Sequence, residues 1–138
     1  MYAGALSALA RLPTIDPGYA LTAAQLRGDA LLALGRVAEA RDVYQGLGGD
    51  AESRTISALG LGECALAAEN ASGALLLFDK AFAETEDEFY KAQALAGLAR
   101  AWAESGDLDK AKLELQRLRK DYPERQDSIS LAAMAIER

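Results

Sequence analysis

Four carboxylates in the middle of the sequence form its densest group of candidate cation ligands: Glu84, Glu86, Asp87 and Glu88. Their spacing lacks the alternating ligands and the central glycine that a calcium-binding loop needs. Thr85 precedes Glu88 by three residues, which is the spacing of a helix capping box, and acidic side chains favour the positive end of a helix. We therefore interpret this cluster as the start of a helix and expect no metal site there.

Two other features could carry chemistry, but both have simpler interpretations. Gly46, Gly48 and Gly49 could form a phosphate cradle, but no Lys-Ser or Lys-Thr pair follows them and no strand is predicted before them. Cys64 is the only cysteine, and we interpret it as a buried apolar side chain because no cation adjoins it. The chain has no histidine, which removes the usual general base, nucleophile activator and metal ligand. We expect neither enzyme activity nor a cofactor.

The composition favours an all-helical fold. Ala and Leu together make up more than a third of the 138 residues, and both rank at the top of the helix-propensity scale. The 21 acidic residues outnumber the 15 basic ones, for a net charge of −6. Because contacts to a phosphate backbone need clustered Lys and Arg, we expect no nucleic-acid partner.

The sequence also bears on the cellular compartment. Its longest unbroken apolar run is six residues, whereas a membrane helix needs ~20, so we expect no membrane insertion. No basic residue precedes the first apolar stretch, as one would in a secretory signal. We expect a cytoplasmic protein, or a periplasmic one if a leader or anchor has been removed.

A pattern of small and bulky residues occurs three times along the chain. Each copy has a small residue, a turn residue, an alanine, a bulky apolar residue and a further apolar or small residue. The copies are Gly28, Gly35, Ala40, Tyr44 and Leu47; Gly62, Glu69, Ala74, Phe78 and Ala81; and Ala99, Gly106, Ala111, Leu115 and Leu118. The small residues allow two helices to approach closely, the turn residue ends the first helix, and the bulky residue fills the space between them. The pattern predicts three helix pairs.

The pattern also predicts where these helices lie. First helices are expected near residues 19–34, 52–68 and 88–104, and second helices near 37–47, 71–83 and 108–121. Glu69 departs from the glycine of its column, and we expect the neighbouring Asn70 to take the left-handed turn conformation instead.

These columns resemble the tetratricopeptide repeat, a helix-turn-helix unit of 34 residues. The matching strings are LRGDALLALGRVAEARDVYQGL, LGLGECALAAENASGALLLFDKAF and LAGLARAWAESGDLDKAKLELQRL. The resemblance implies an all-α, right-handed α-solenoid of antiparallel helix pairs that forms a single domain over residues 1–138. Its parts would be an N-terminal half repeat (2–20), three repeats (21–54, 55–91 and 92–125) and a C-terminal capping helix (126–138).

The resemblance further implies a binding groove, because first helices line the concave surface in this family. Carried over by register, the groove residues are Gln25, Asp29, Leu32, Ile56, Leu59, Glu63, Leu66, Gln93 and Arg100. Ile56, Leu59 and Leu66 would form an apolar patch for an extended or helical segment of a protein or peptide partner. Alternatively, some of these apolar residues belong to the core, and Glu63 and Arg100 pair between neighbouring helices.

The charge of this groove bears on the kind of ligand. Family members that hold the acidic C-terminal tails of chaperones line the groove with Lys, Arg and Asn, whereas the equivalent positions here are Gln25, Asp29, Gly60, Gln93 and Gly97. Asp29 and Glu63 favour a ligand that is apolar and carries a basic group.

Self-assembly into a homo-oligomeric scaffold is the alternative function. A half repeat at each end would leave apolar side chains without a neighbour, and head-to-tail stacking of a second copy would cover them. The candidate self-association residues are Leu6, Leu9, Ile129, Met134 and Ile136.

Overall fold

The computed structural model describes residues 4, 6 and 19–137, and all regular secondary structure in this part of the chain is helical. Within residues 19–137, seven α-helices follow one another: α1 (Ala20–Ala33), α2 (Val37–Gln45), α3 (Ala51–Ala67), α4 (Ala71–Glu84), α5 (Glu88–Ser105), α6 (Leu108–Asp121) and α7 (Gln126–Glu137). The limits lie within two residues of those predicted from the repeat pattern. The all-α prediction is confirmed. The half repeat predicted over residues 2–20 lies almost entirely outside the described residues.

Side-chain caps define where four of the helices begin. Asp50, Asn70, Asp87 and Asp107 each accept a hydrogen bond from a backbone N–H in the first turn, at distances of 2.8–3.1 Å. These bonds satisfy N–H groups that have no partner within the helix. The predicted capping box of Thr85 with Glu88 is wrong. Asp87 is the cap of α5 instead. Thr85 is buried, and its Oγ1 accepts from the Asp87 N–H at 3.0 Å.

A left-handed residue closes the first helix of each pair. Gly35 and Gly106 have φ values of 79° and 93°, as expected of glycine after a helix, and Glu69 has a φ of 60° at the equivalent turn. The expectation that Asn70 takes this conformation is wrong, because Asn70 has a φ of −105° and caps α4. The two flanking helices set the position of the turn, so a non-glycine residue is held in the strained region.

The helices form two layers of a solenoid. Each helix contacts the next along the chain, and the first helices of successive pairs, α1, α3, α5 and α7, also contact one another. We call these four the inner helices. The outer helices α2, α4 and α6 make no contact with one another. Because only the inner layer is in continuous contact, the solenoid is concave on the inner side.

The predicted columns account for the packing between the layers. Ala40, Ala74 and Ala111 are fully buried, and so are the aromatic rings of Tyr44 and Phe78. A helix backbone can approach closely where a column holds alanine or glycine, and the bulky residue four positions later then fills the remaining space. The column residues therefore have the structural role that the sequence pattern predicted.

No helix in the described part of the chain has the combination of length and hydropathy that a membrane span requires.

Candidate functional site

The concave face of the inner helices contains two adjoining clefts that share Glu63. The larger has a volume of about 740 Å³ and lies between the C-terminal halves of α3, α5 and α7. The smaller, of about 100 Å³, lies between α1, α3 and the start of α5. We call the two clefts together the concave groove. All nine predicted groove residues line it: Leu32, Glu63, Leu66 and Arg100 in the larger cleft, and Gln25, Asp29, Ile56, Leu59, Glu63 and Gln93 in the smaller.

The apolar side chains in the middle of the concave groove are less exposed to solvent than the sequence analysis predicted. Ile56 is only 3% exposed and belongs to the core, so the expectation that it forms part of an exposed patch is wrong. Leu59 and Leu66 are half-buried, because both pack against the central core between α3 and α5. The most accessible apolar side chains lie at one end of the larger cleft, where Leu131 is 49% and Met134 59% exposed.

Glu63 and Arg100 form a bidentate ion pair in the concave groove. Arg100 Nη1 donates to Glu63 Oε1 at 2.6 Å, and Nη2 donates to Oε2 at 3.0 Å. The pair links α3 to α5, and both side chains are half-buried. Parallel bonds of this kind hold both planar groups in place and largely cancel their charges. The cross-helix pairing that the sequence left open is thus present.

Asp29 is held in the groove by a tyrosine that comes from the outer layer. The Tyr44 ring lies between α1 and α3, where a Cβ on Gly28 or Gly60 would approach it to 2.5 Å or 2.3 Å. The two glycines therefore form a slot through which the Tyr44 hydroxyl reaches the groove and donates to the Asp29 carboxylate. Phe78 occupies the equivalent slot between Gly62 and Gly97 and has no hydroxyl.

The surroundings of Asp29 change its acidity. Asp29 stays accessible to solvent, but partial desolvation by the groove raises the pKa of its carboxyl, and the nearby Glu63 acts in the same direction. The hydrogen bond from Tyr44 opposes this effect because it favours the ionised carboxylate. Burial and the Asp29 charge raise the pKa of Tyr44 well above its ordinary value, so its hydroxyl remains a donor.

The sequence interpretation placed Gly60 and Gly97 in the groove but missed that they make room for an aromatic ring, and it missed the reach of Tyr44 into the groove. A signal was present, since Gly60-Leu61-Gly62 in α3 recurs as Gly97-Leu98-Ala99 in α5. Two small residues separated by a leucine provide a contact surface for two successive outer helices. Such a pair of small residues predicts the position where an aromatic ring of an outer helix packs against an inner helix.

The predicted self-association residues differ in their availability. Ile129 is 8% exposed and belongs to the core between α5, α6 and α7, so the expectation that a second copy of the chain would cover it is wrong. Ile136 packs partly against the same core, whereas Met134 is open to solvent. Leu6 is half-buried against the cluster of Leu31, Tyr44 and neighbouring residues, and Leu9 lies outside the described residues.

The described residues contain no cluster of three or more His, Cys, Asp or Glu that could hold a metal ion. Cys64 is 1% exposed, which agrees with its interpretation as an apolar core residue. Desolvation raises the pKa of its thiol, so the reactive thiolate form is disfavoured.

Comparison with known proteins gives one family match. A family model for the tetratricopeptide repeat matches residues 65–135, slightly more than half of the 138-residue chain. Searches of curated proteins and of solved structures returned no significant match. Repeats of this family generally mediate protein–protein interactions, and the family is a non-catalytic interaction module.

Proposed function

This chain belongs to the tetratricopeptide repeat family, and we propose that it is a non-enzymatic interaction module that binds a segment of a partner protein in the concave groove. The observation that carries the proposal is the continuity of the groove across the inner helices, with half-buried Leu66 and exposed Leu131 and Met134 in its larger cleft. Exposed apolar side chains rimmed by polar groups are typical of surfaces that contact another chain.

The shape of the groove favours a narrow ligand. The larger cleft extends across α3, α5 and α7 and has the apolar residues Leu66, Leu108 and Met134 among its lining. Apolar side chains of a helix or an extended segment would lose water against these residues, and burial of that area would provide most of the affinity. Because the inner helices pack on one another and on the outer layer, the partner would meet a preformed surface.

Affinity capture with matched variants tests this proposal. The double variant Leu66→Lys/Met134→Lys places two charges in the groove, whereas Leu76→Lys/Leu113→Lys places two on outer helices, where these leucines are 74% and 62% exposed. The groove variant should lose the proteins that the wild-type chain captures from a lysate of its source organism, and the outer variant should retain them. Circular dichroism should show equal helicity for both variants.

Equal capture by the groove variant and the wild-type chain would contradict the proposal, because a lysine in each part of the larger cleft would disrupt an apolar interface there.

Self-association is a second proposal, favoured by the exposure of Leu131 and Met134 on α7. A second copy would cover these side chains and bury apolar area. Light scattering at two well-separated concentrations should then show a mass that rises with concentration, and Leu131→Asp/Met134→Asp should restore the monomer mass. A monomer at both concentrations would leave only the first proposal.

A further inference from the structure

The charged side chains that line the concave groove are mostly acidic. Among the described residues, they comprise the carboxylates Asp29, Glu63 and Glu104 and a single guanidinium, that of Arg100. Both terminal nitrogens of Arg100 are bound to Glu63. Within residues 19–137, no Lys or Arg forms an ion pair with Asp29 or Glu104. The groove therefore presents negative charge that no Lys or Arg of residues 19–137 neutralises.

Of Asp29 and Glu104, the two groove carboxylates without an ion pair among the described residues, Asp29 is the one that a side-chain hydrogen bond orients. Its Oδ1 accepts the hydrogen bond from Tyr44, whose ring is 1% exposed and confined by Gly28 and Gly60. Its Oδ2 makes no hydrogen bond to the described residues, and the Asp29 residue is part of the smaller cleft's lining. A carboxylate that is held at one oxygen by a buried donor is preorganised to accept a cation at the other.

Asp29 lies at one end of a row that crosses the groove. Asp29, Glu63, Arg100 and Met134 occupy the same register position on the four successive inner helices. Packed helices are 8–10 Å apart, so the row from Asp29 to Met134 spans roughly 27 Å. A helical segment of about 18 residues or an extended one of about eight would follow this distance.

We propose that the groove selects a partner segment in which a Lys or Arg pairs with Asp29 while apolar side chains contact Leu66 and Met134. This inference rests on the proposed function and specifies the chemistry of the partner. An apolar segment without a cation would bury Asp29 unpaired, and an acidic segment would add repulsion, so both are disfavoured. The salt-bridged Arg100 offers no free guanidinium for an acidic segment.

Selection from a displayed library of random 18-residue peptides tests the inference. Peptides enriched on the wild-type chain, and lost on Leu66→Lys/Met134→Lys, should contain Lys or Arg together with apolar residues. For one such synthetic peptide, Asp29→Asn should raise Kd about tenfold or more, because the peptide cation loses its partner. Asp29→Lys should instead select peptides that contain Asp or Glu.

Two further variants separate the role of Asp29 from a general effect of charge or folding. Asp42→Asn removes the same charge from the outer helix α2 and should leave Kd unchanged. Tyr44→Phe removes only the hydroxyl that orients Asp29 and should raise Kd by about threefold. Phe78 fills the equivalent slot, so the phenylalanine should fit, and urea unfolding checks that the variant is folded.

The outcomes distinguish this inference from the proposed function. Groove-dependent peptides without basic residues, or with a Kd that Asp29→Asn does not change, would overturn the inference and leave the proposed function in place. Enriched peptides that still bind Leu66→Lys/Met134→Lys, or no enrichment at all, would overturn both.

Discussion

Glu69 has a left-handed backbone conformation, with a φ of 60°, where the equivalent turns have glycine. A side chain in this conformation costs about 1–2 kcal/mol, because its Cβ crowds the following carbonyl oxygen. We predict that Glu69→Gly raises the free energy of unfolding by about 1 kcal/mol, after the greater freedom of glycine in the unfolded chain is subtracted. Urea denaturation measures the change.

Glu69→Ala is the matched control, because it removes the same charge but keeps a Cβ in the left-handed turn. If Glu69→Ala raises the free energy of unfolding as much as Glu69→Gly does, then the charge of Glu69, and not backbone strain, lowers the stability of this turn.

Glu114 lies on α6 in the column where the two earlier repeats have Val43 and Leu77. Its Oε2 is buried and has no hydrogen-bond partner among the described residues. Desolvation raises the pKa of this carboxyl above its ordinary value of 4.5, and Arg117 opposes the shift only in part. The folded state therefore favours the protonated form, and stability is lost as pH rises through the raised pKa.

We predict that Glu114→Leu increases the free energy of unfolding at neutral pH by about 1–2 kcal/mol, because a half-buried carboxylate with one buried, unpartnered oxygen is replaced by the residue type of its column. Below the ordinary glutamate pKa of 4.5 the gain should shrink, since Glu114 is then protonated in both states. Urea unfolding across this pH range measures both effects. A gain that is independent of pH would contradict the role assigned to ionisation.

At the scale of the helices, glycine slots set how closely the two layers approach. Phe78 is 1% exposed and lies between α3 and α5, where a Cβ at Gly97 would come within 2.4 Å of its ring. The third repeat has a smaller pair, Leu115 with Ala99. A larger residue in the slot thus requires a smaller one in the facing column.

We predict that Gly97→Ala destabilises the protein by about 1 kcal/mol, because overpacking costs about 2 kcal/mol and alanine returns about 1 kcal/mol in helix propensity. With Phe78→Leu already present, Gly97→Ala should be neutral or stabilising. A double-mutant cycle from chemical denaturation measures this coupling. Gly49→Ala, at a site with open space around the glycine, is the control. If the effects of Gly97→Ala and Phe78→Leu on the free energy of unfolding are additive, the two residues are not coupled. That result would contradict the role assigned to the slot.

At the scale of the whole molecule, stability should be local because each helix contacts only its near neighbours in the array. Ile129 belongs to the core that joins α7 to α5 and α6. We predict that Ile129→Ala, which removes about 2–4 kcal/mol of packing, lowers amide hydrogen-exchange protection in α7 and the adjoining helices but not in α1 and α2.

Hydrogen exchange read by mass spectrometry resolves these segments. Leu113→Ala, at an exposed position on α6, should leave the whole protection pattern unchanged. Equal loss of protection in all helices after Ile129→Ala would show that the array unfolds as one unit.

The sequence alone determined the helices, the turns between pairs and the face that lines the groove. These features follow from residue type and spacing within one repeat, because the small and bulky columns dictate how each helix meets its partner. Gln25, Asp29, Glu63 and Arg100 could be assigned to one face since the register of an inner helix repeats along the chain. The prediction was wrong at one turn, where either of two neighbouring residues could take the left-handed conformation. Asn70 was expected to take it, but Glu69 has it.

Only the tertiary structure decided how deeply each side chain is buried and which side chains meet. Ile56 and Ile129 are in the core because neighbouring helices cover them, and their own helical periodicity does not reveal this. The hydrogen bond from Tyr44 to Asp29 joins the two helices of one repeat, and the pairing of Glu63 with Arg100 joins two repeats. Both depend on the distance between packed helices. Those distances are set by how the helices pack in three dimensions, which residue spacing along the chain does not specify.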